Sequence, residues 1–422
     1  MKIVFATFGS LGDVHPFLAL ALEMQCRGHD VRFATSEIYR AKIEATGLEF
    51  APLRPDIQLH DKRRIAALMH PRRGTKLLLK NVLFPAIRHS YDDLKTATQN
   101  ADLLVTSDII YAAPILTSQT KLRWVSVTLA PMVFFSVSDP SVFSPAPTLS
   151  KLHRFGPRAN SFINKIARFH TRSWSRPAYD LRRELGLPRG RDPIFDEKYS
   201  PHRVLALFSK TLGAPQPDWP PQTRQTGFCF YDTHKTDDRN ATESTRQIEE
   251  FLRDGAPPIV FTLGSAAVWS AGDFYHESAR AAKKLNRRAL FLMGANAMKP
   301  LPDSMLAVDY APYSLVFARA AAVVHQGGVG TTAQAMRAGV PQIVVPFSHD
   351  QPDNAARVVR SGAGLSIARS RYSAKNIERA LKHLLETPSF SQRAQEIAGV
   401  IAQENGLQSA CDELEREPER AV

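Results

Sequence analysis

Cysteine is nearly missing from this chain. Cys26, Cys229 and Cys411 are the only three in 422 residues. Their odd number and wide spacing exclude a disulfide framework and a zinc knuckle, and suit a reducing cytoplasm. No apolar run approaches the ~20 residues a bilayer-spanning helix needs. The opening MKIVFATFGS passes straight into a strand pattern. It lacks the long apolar stretch and small-residue cleavage site of a secretory signal. Helix-turn-helix, zinc-finger, RRM and KH patterns are also missing, so the net charge of +13 does not indicate a nucleic-acid partner. There is no D-x-D triplet to hold a metal–diphosphate complex, no Walker A loop, no GxGxxG turn and no repeat of solenoid period.

What is present is ordinary for a globular protein, with 44% hydrophobic and 23% charged residues. The length suits two domains, each with its own core. Residues 2–8, 30–35, 48–53, 102–107 and 124–129 read as strands, with helices at 16–27 and about 38–46. A long helical pattern runs from 75 to 98, residues 140–147 read as an irregular loop, and 158–185 read as a helical insert carrying Phe162, Phe169 and Trp174. Four prolines in 214–221 and the polar run 232–244 mark a boundary, and a second series of strands follows at 258–263, 289–293, 307–310, 321–325 and 342–346. The alternation βαβα predicts an α/β fold: two Rossmann-like domains with parallel sheets, facing a cleft. The expected division is 1–215, plus a C-terminal helix at about 402–422, and 216–401. Basic residues gather in 62–80 and 154–183. They fit a solvated surface, an acidic acceptor or the anionic inner face of a membrane. Oligomeric state, monomer or homodimer, is open.

The second series holds the strongest signal. The segment 323–354 reads VVHQGGVGTTAQAMRAGVPQIVVPFSHDQPDN. A buried strand runs into the glycine-rich turn His325-Gln326-Gly327-Gly328-Val329-Gly330, a helix follows from Thr331, and the next strand ends in His349-Asp350-Gln351. Glycines let backbone approach an anion, and the free N–H groups and dipole of a helix N-terminus attract it. A polar cluster after the adjacent strand suits sugar hydroxyls. Together they fit a nucleotide sugar.

The HxGGxGTT turn, the AGVPQ helix end and the DQ pair resemble the donor signature of family 1 glycosyltransferases, the UDP-glycosyltransferase superfamily. Pro217-Asp218-Trp219-Pro220, Thr226-Gly227-Phe228 and Gly272-Asp273-Phe274-Tyr275 are similar to the bacterial rhamnosyltransferases of rhamnolipid synthesis. The resemblance implies the GT-B fold, a cytoplasmic enzyme without cofactor or metal, and inverting transfer from a UDP- or dTDP-sugar to a small hydrophobic acceptor. Two further activities stay open: a catalytically inactive nucleotide-sugar-binding partner subunit, and a nucleotide-sugar epimerase of the same fold.

It also implies roles. Gly9-Ser10-Leu11-Gly12-Asp13-Val14-His15-Pro16 follows the first strand, and Asp13 matches the catalytic base. Read from the residues alone, Asp13 is an N-cap for a helix starting near Pro16 sooner than a base, the resemblance reverses that order, and His15 is a rival base. Asp108 matches the residue that orients a catalytic His, so its role beside an aspartate base is open. Ser10 and Gly12, with Gly264 and Ser265 after a second-domain strand, match donor contacts. Tyr310 and Ala311 match the pair that stacks on and reads the nucleobase. Counting 24 residues back from Asp350 reaches Gln326, where the family has a diphosphate-binding His; here the His is one place earlier, at 325. Either Gln326 or His325 contacts the diphosphate. Gly328, Gly330, Thr331 and Thr332 complete the turn. Gln334 matches a ribose reader, and Asp350 and Gln351 match sugar-hydroxyl readers. The loop 132–143, with Met132, Phe134, Phe135 and Phe143, and the insert aromatics are expected to meet an apolar acceptor.

Overall fold

The computed structural model describes residues 1–57, 61–232, 239–294, 296 and 301–417. Part of the polar run 232–244 and the end of the range 402–422 lie outside the described residues. The chain divides into two compact units. One is Met1–Asp61 with Arg72–Phe230 and Glu404–Val422; the other is Lys62–Pro71 with Tyr231–Gln403.

Among the described residues the first unit holds seven parallel strands: β1 (Lys2–Ala6), β2 (Asp30–Thr35), β3 (Glu49–Pro52), β4 (Leu103–Ser107), β5 (Arg123–Thr128), β6 (Val204–Ala206) and β7 (Thr223–Gln225). Their order is β3-β2-β1-β4-β5-β6-β7. The second unit repeats the plan with β8 (Ile259–Thr262), β9 (Ala289–Leu292), β10 (Met305–Val308), β11 (Ala322–His325), β12 (Gln342–Val344) and β13 (Gly364–Ser366), ordered β10-β9-β8-β11-β12-β13. Central strands β4, β8, β9 and β11 are buried along their whole length. Covering both faces with helices requires continuous apolar runs, which is how these segments read in the sequence. In each sheet the chain doubles back where the first strand of the unit meets the fourth, β1 beside β4 and β8 beside β11. Ligands of open α/β sheets sit beyond the carboxyl ends at such a switch point.

Several local expectations change. The first helix runs Leu11–Cys26, five residues ahead of Pro16, because Ser10 is a working N-cap. Pro16 lies inside it, early enough to remove only the bond that would reach Gly12. The pattern 75–98 is not one helix. It is Gly74–Lys76, a widened π segment Leu77–Leu83, and Ile87–Ala97. Pro85 lacks a donor and restricts the residue before it. The insert 158–185 is two helices, Pro157–Thr171 and Arg176–Glu184, each with proline in its first turn. Strands β6, β7 and β13 have three residues each, too short to leave a period in sequence.

Two segments belong to units distant in sequence. Helix Gly406–Glu415 is part of the first unit, where Arg27 meets Asp412 at 2.7 Å and Glu415 at 2.9 Å, and buried Arg203 meets Glu413 at 3.2 Å. Residues Lys62–Pro71 join the second unit, with Ile65 and Met69 in the core around Phe261, Phe291 and Phe347.

Candidate functional site

In the first unit, the turn after β1 is built around Asp13. Ser10 caps the helix by accepting from Gly12 N–H at 3.3 Å. Asp13, three residues on, accepts the Ser10 N–H at 2.8 Å and the Ser10 hydroxyl at 3.1 Å, both on Oδ2. This is a capping box, so Asp13 is its first-turn member and not the N-cap itself. Gly9 has φ +136°, and a Cβ there would come within 2.3 Å of Asp13 Oδ2. Only glycine lets the loop pass this close. Burial pushes the Asp13 carboxyl up to about 6 against the Ser10 hydrogen bonds, and the charge of Asp108 adds to the rise. His15, two residues further along, points about 200° away around the helix and does not share the Asp13 face.

Asp108 directly follows β4, the neighbour of β1, so the two carboxylates lie at the switch point. Burial raises the Asp108 carboxyl, and the Lys198 ammonium partly offsets it. Lys198 is buried. It donates to Val133 O at 2.9 Å and lies 4.6 Å from the Phe135 ring centre. Burial brings its ammonium down to about 8, with Asp108 acting the other way. The loop 132–143 thus holds the ammonium whose charge is felt by Asp108. Its Phe134 is packed, stacked on Trp219 at 4.2 Å and on Tyr199 at 5.8 Å. Two of the insert aromatics do not join this group: Phe162 and Phe169 are 62% and 75% exposed, whereas Trp174 is half-buried.

In the second unit the turn after β11 leads into helix Val329–Arg337. The N–H groups of Val329, Gly330 and Thr331 have no intrahelical partner, as in any first turn, and the N-cap Gly328 has no side chain to bond them. Gly327 has φ +86°, and a Cβ there would lie 2.5 Å from Val344. His325 is fully buried. Its Nδ1 accepts the Gly327 N–H at 3.0 Å, which leaves Nε2–H to donate to Gln342 at 2.8 Å. Burial lowers the ring to about 4, so it is neutral. With both nitrogens used to hold the turn, the His325 ring is a brace beneath it. Gln326 instead lies over the helix start, its Nε2 donating to Thr331 Oγ1 at 3.3 Å. Gln326 Oε1, Thr332 Oγ1 and Asn354 Oδ1 are buried without a hydrogen-bond partner among the described residues. The Thr332 hydroxyl can donate to an anion, whereas the two amide oxygens call for a donor such as a ligand hydroxyl.

Gly264, after β8, packs against Gln326: its added Cβ would lie 2.4 Å from Gln326 Nε2. Ser265 follows in the short helix Gly264–Ala267. After β10, Tyr310 is 55% exposed, while Ala311 is buried. Gln334 is half-buried on the helix of the turn. After β12, Gln351 Oε1 accepts the N–H groups of Phe347 at 2.8 Å and Ser348 at 3.1 Å, which turns its NH₂ away from them. Asp350 is the N-cap of helix Gln351–Ser361 and accepts from Asn354 Nδ2 at 2.7 Å.

The C-terminal part, residues 292–414, matches the model of the erythromycin biosynthesis protein CIII-like C-terminal domain, and residues 3–120 match the glycosyltransferase family 28 N-terminal domain. Over nearly the whole length the chain is 31% identical to the O-mycaminosyltylonolide 6-deoxyallosyltransferase of Streptomyces fradiae, covering 97% of this chain and 96% of that protein. The chain belongs to the family 1 glycosyltransferases. The glycosyltransferase is also 27% identical to a sterol 3-beta-glucosyltransferase of Arabidopsis thaliana, over 99% of this chain and 68% of the plant protein. Among solved structures, the spinosyn rhamnosyltransferase complexed with thymidine diphosphate matches with a TM-score of 0.69 at 16% identity, covering 99% of this chain and 100% of that one. The fold class is GT-B. Among the described residues, no helix is long and apolar enough to cross a membrane.

Three elements at these turns carry no sequence motif. Lys198 lies in a stretch without pattern. Asn354 donates to both Gly327 O at 2.9 Å and Asp350, tying the glycine turn to the DQ turn; its position one helical turn after Asp350 was the available signal. The third is the segment 62–71: His70 O accepts from Ser348 Oγ at 3.2 Å, and His349, at φ +57°, is bonded to Leu68. A basic segment of the first half thus braces the DQ turn.

Proposed function

We propose that this glycosyltransferase inverts the anomeric centre without a metal, moving a sugar from a UDP- or dTDP-sugar to a hydroxyl of a small hydrophobic acceptor. Asp13 carries the reading. A carboxylate gripped at the switch point, with its pKa pushed up to about 6, suits a base working near neutrality. The acceptor O–H proton passes to Asp13, and the acceptor oxygen bonds to the anomeric carbon from the side opposite the diphosphate. The bond from that carbon to the phosphate oxygen breaks, leaving its electron pair on the diphosphate. The N–H groups of Val329, Gly330 and Thr331, with the helix dipole, take up this charge, and the Thr332 hydroxyl and the second Nε2–H of Gln326 add side-chain donors. Exposed Tyr310 stacks on the pyrimidine beside Ala311, Gln334 meets the ribose, and Asp350 and the Gln351 NH₂ read the sugar hydroxyls.

The thymidine diphosphate bound to the spinosyn rhamnosyltransferase supports a pyrimidine diphosphate donor. Two observations support a hydrophobic acceptor: the apolar loop 132–143 holds Lys198, whose charge acts on Asp108, and the relatives' names specify a tylonolide and a sterol. The test is a mass-spectrometric screen of UDP- and dTDP-sugars against polyketide, sterol, phenolic, hydroxyacyl and free-sugar acceptors. Turnover with an apolar hydroxyl compound and an inverted product is expected. Efficient transfer to a free sugar alone, or donor binding with no turnover, would overturn the reading.

A further inference from the structure

Five of the eight large hydrophobic side chains exposed among the described residues fall within one short stretch: Leu152, Phe155, Phe162, Ile166 and Phe169. Helix Pro157–Thr171 already has an inward face. Ile163 is buried, Asn160 Nδ2 donates to Val137 O at 2.8 Å, and Asn164 Nδ2 donates to Phe135 O at 2.6 Å. At about 100° per residue, Phe162, Ile166 and Phe169 form a stripe on the opposite side. A surface helix normally puts polar residues there. The electrostatics of the region are one-sided. No acidic residue occurs between Asp139 and Asp180, whereas Lys151, Arg154, Arg158, Lys165, Arg168 and Arg172 flank the stripe. Arg168 is held by Asp196 at 2.6 Å, while Lys165 and Arg172 are exposed.

We propose that this face of helix Pro157–Thr171, with the preceding Leu152 and Phe155, docks the enzyme on an anionic lipid bilayer. An interfacial helix of this kind lays its apolar stripe among the acyl chains and its basic flank against acidic headgroups. A second copy of the chain is the poorer occupant, because pairing the stripes would bring like charges together. A nucleic acid would not use the apolar stripe. Docking is independent of the catalytic assignment, since it needs neither donor nor acceptor.

Flotation of the purified protein with vesicles tests it. Phosphatidylcholine mixed with phosphatidylglycerol should carry the protein up the gradient, and phosphatidylcholine alone should carry much less. Raising the salt until the Debye length drops from about 10 to 3 Å should weaken binding. Phe162→Ser with Phe169→Ser should reduce partitioning roughly tenfold or more. Lys165→Glu with Arg172→Glu should reduce it on the order of fivefold for each charge lost, and provides a second variant that leaves the apolar side chains in place. Both variants should keep the parent's melting temperature and its transfer rate to a soluble acceptor. Failure to float with anionic vesicles, or flotation indifferent to both variants, overturns the proposal. So does a dimer in sedimentation velocity that the serine variant dissolves, which would make the stripe a contact between copies.

Discussion

Replacing Asp13 with Asn separates what this residue costs the fold from what it gives the chemistry. The carboxyl rises from an ordinary 3.8 to about 6, mainly by burial. The folded chain thus holds this proton more tightly than the unfolded one. Stability therefore falls as the pH climbs from ~4 to ~6, and the full cost is present above that. Two units correspond to roughly 3 kcal/mol. The side chain is only half-buried, so about 1–3 kcal/mol is the expected range after solvent screening. Asn keeps an oxygen for the Ser10 N–H and carries no charge against Asp108. Asp13→Asn should therefore raise the melting temperature near neutral pH, by roughly 2–4 °C per kcal/mol for a unit of this size. The gain should vanish below pH ~4, where the wild-type carboxyl is protonated in both states. The same change should lower kcat on the order of 10²–10⁴-fold and abolish the acid limb of kcat/KM near pH 6. Calorimetry across pH and steady-state kinetics on the two proteins measure both effects. If Asp13→Asn keeps kcat within a few-fold while His15→Ala is inactive, the base is His15. If the variant melts lower at neutral pH, the account of Asp13 as a strained, desolvated carboxylate is wrong.

Gln351→Ala leaves the buried N–H groups of Phe347 and Ser348 without their acceptor, a loss of roughly 1–3 kcal/mol. Calorimetric titration should show a larger affinity loss for the sugar nucleotide than for the free nucleotide, and equal losses would remove the sugar-reading role. Gln326→Ala should weaken free nucleoside diphosphate about as much as the sugar nucleotide, whereas a change confined to the sugar nucleotide would contradict a diphosphate contact. His325 is neutral when folded, with its ring lowered to about 4 from 6.5. The unfolded chain takes up that proton first, so stability contributed above pH ~6.5 is lost as pH falls toward ~4, by up to about 3 kcal/mol. His325→Asn should flatten this acid dependence of the second unit's melting temperature while lowering its stability at neutral pH. An unchanged acid slope would show that the ring titrates normally.

Much of the architecture was legible because parallel strands covered on both faces must be apolar throughout. Residues 258–263, 289–293 and 321–325 could hardly be read otherwise. The glycine turn was legible because its backbone geometry requires Gly327 and Gly328 at fixed places, and the resemblance rested on those same residues. Asp13 was found as a candidate. Its environment was not, since the repulsion from Asp108 depends on β4 lying beside β1, a neighbour about a hundred residues away in sequence.

The same limit explains the rest. His325 and Gln326 are adjacent in sequence, and only the pairing of β11 with β12 puts Gln342 under the His325 ring and commits it to bracing. Lys198 and the segment 62–71 reach their places through contacts between distant parts of the chain, where no local periodicity records them. The sequence by itself determined the two α/β repeats, the glycine turn and the charge of each region, because these follow from local backbone preference and from which residues water rejects. The tertiary structure decided which polar group at each turn is spent inside the fold and which is left to meet a ligand. A hydrogen bond has a fixed reach and direction, and only packed strands and helices bring its partners within it.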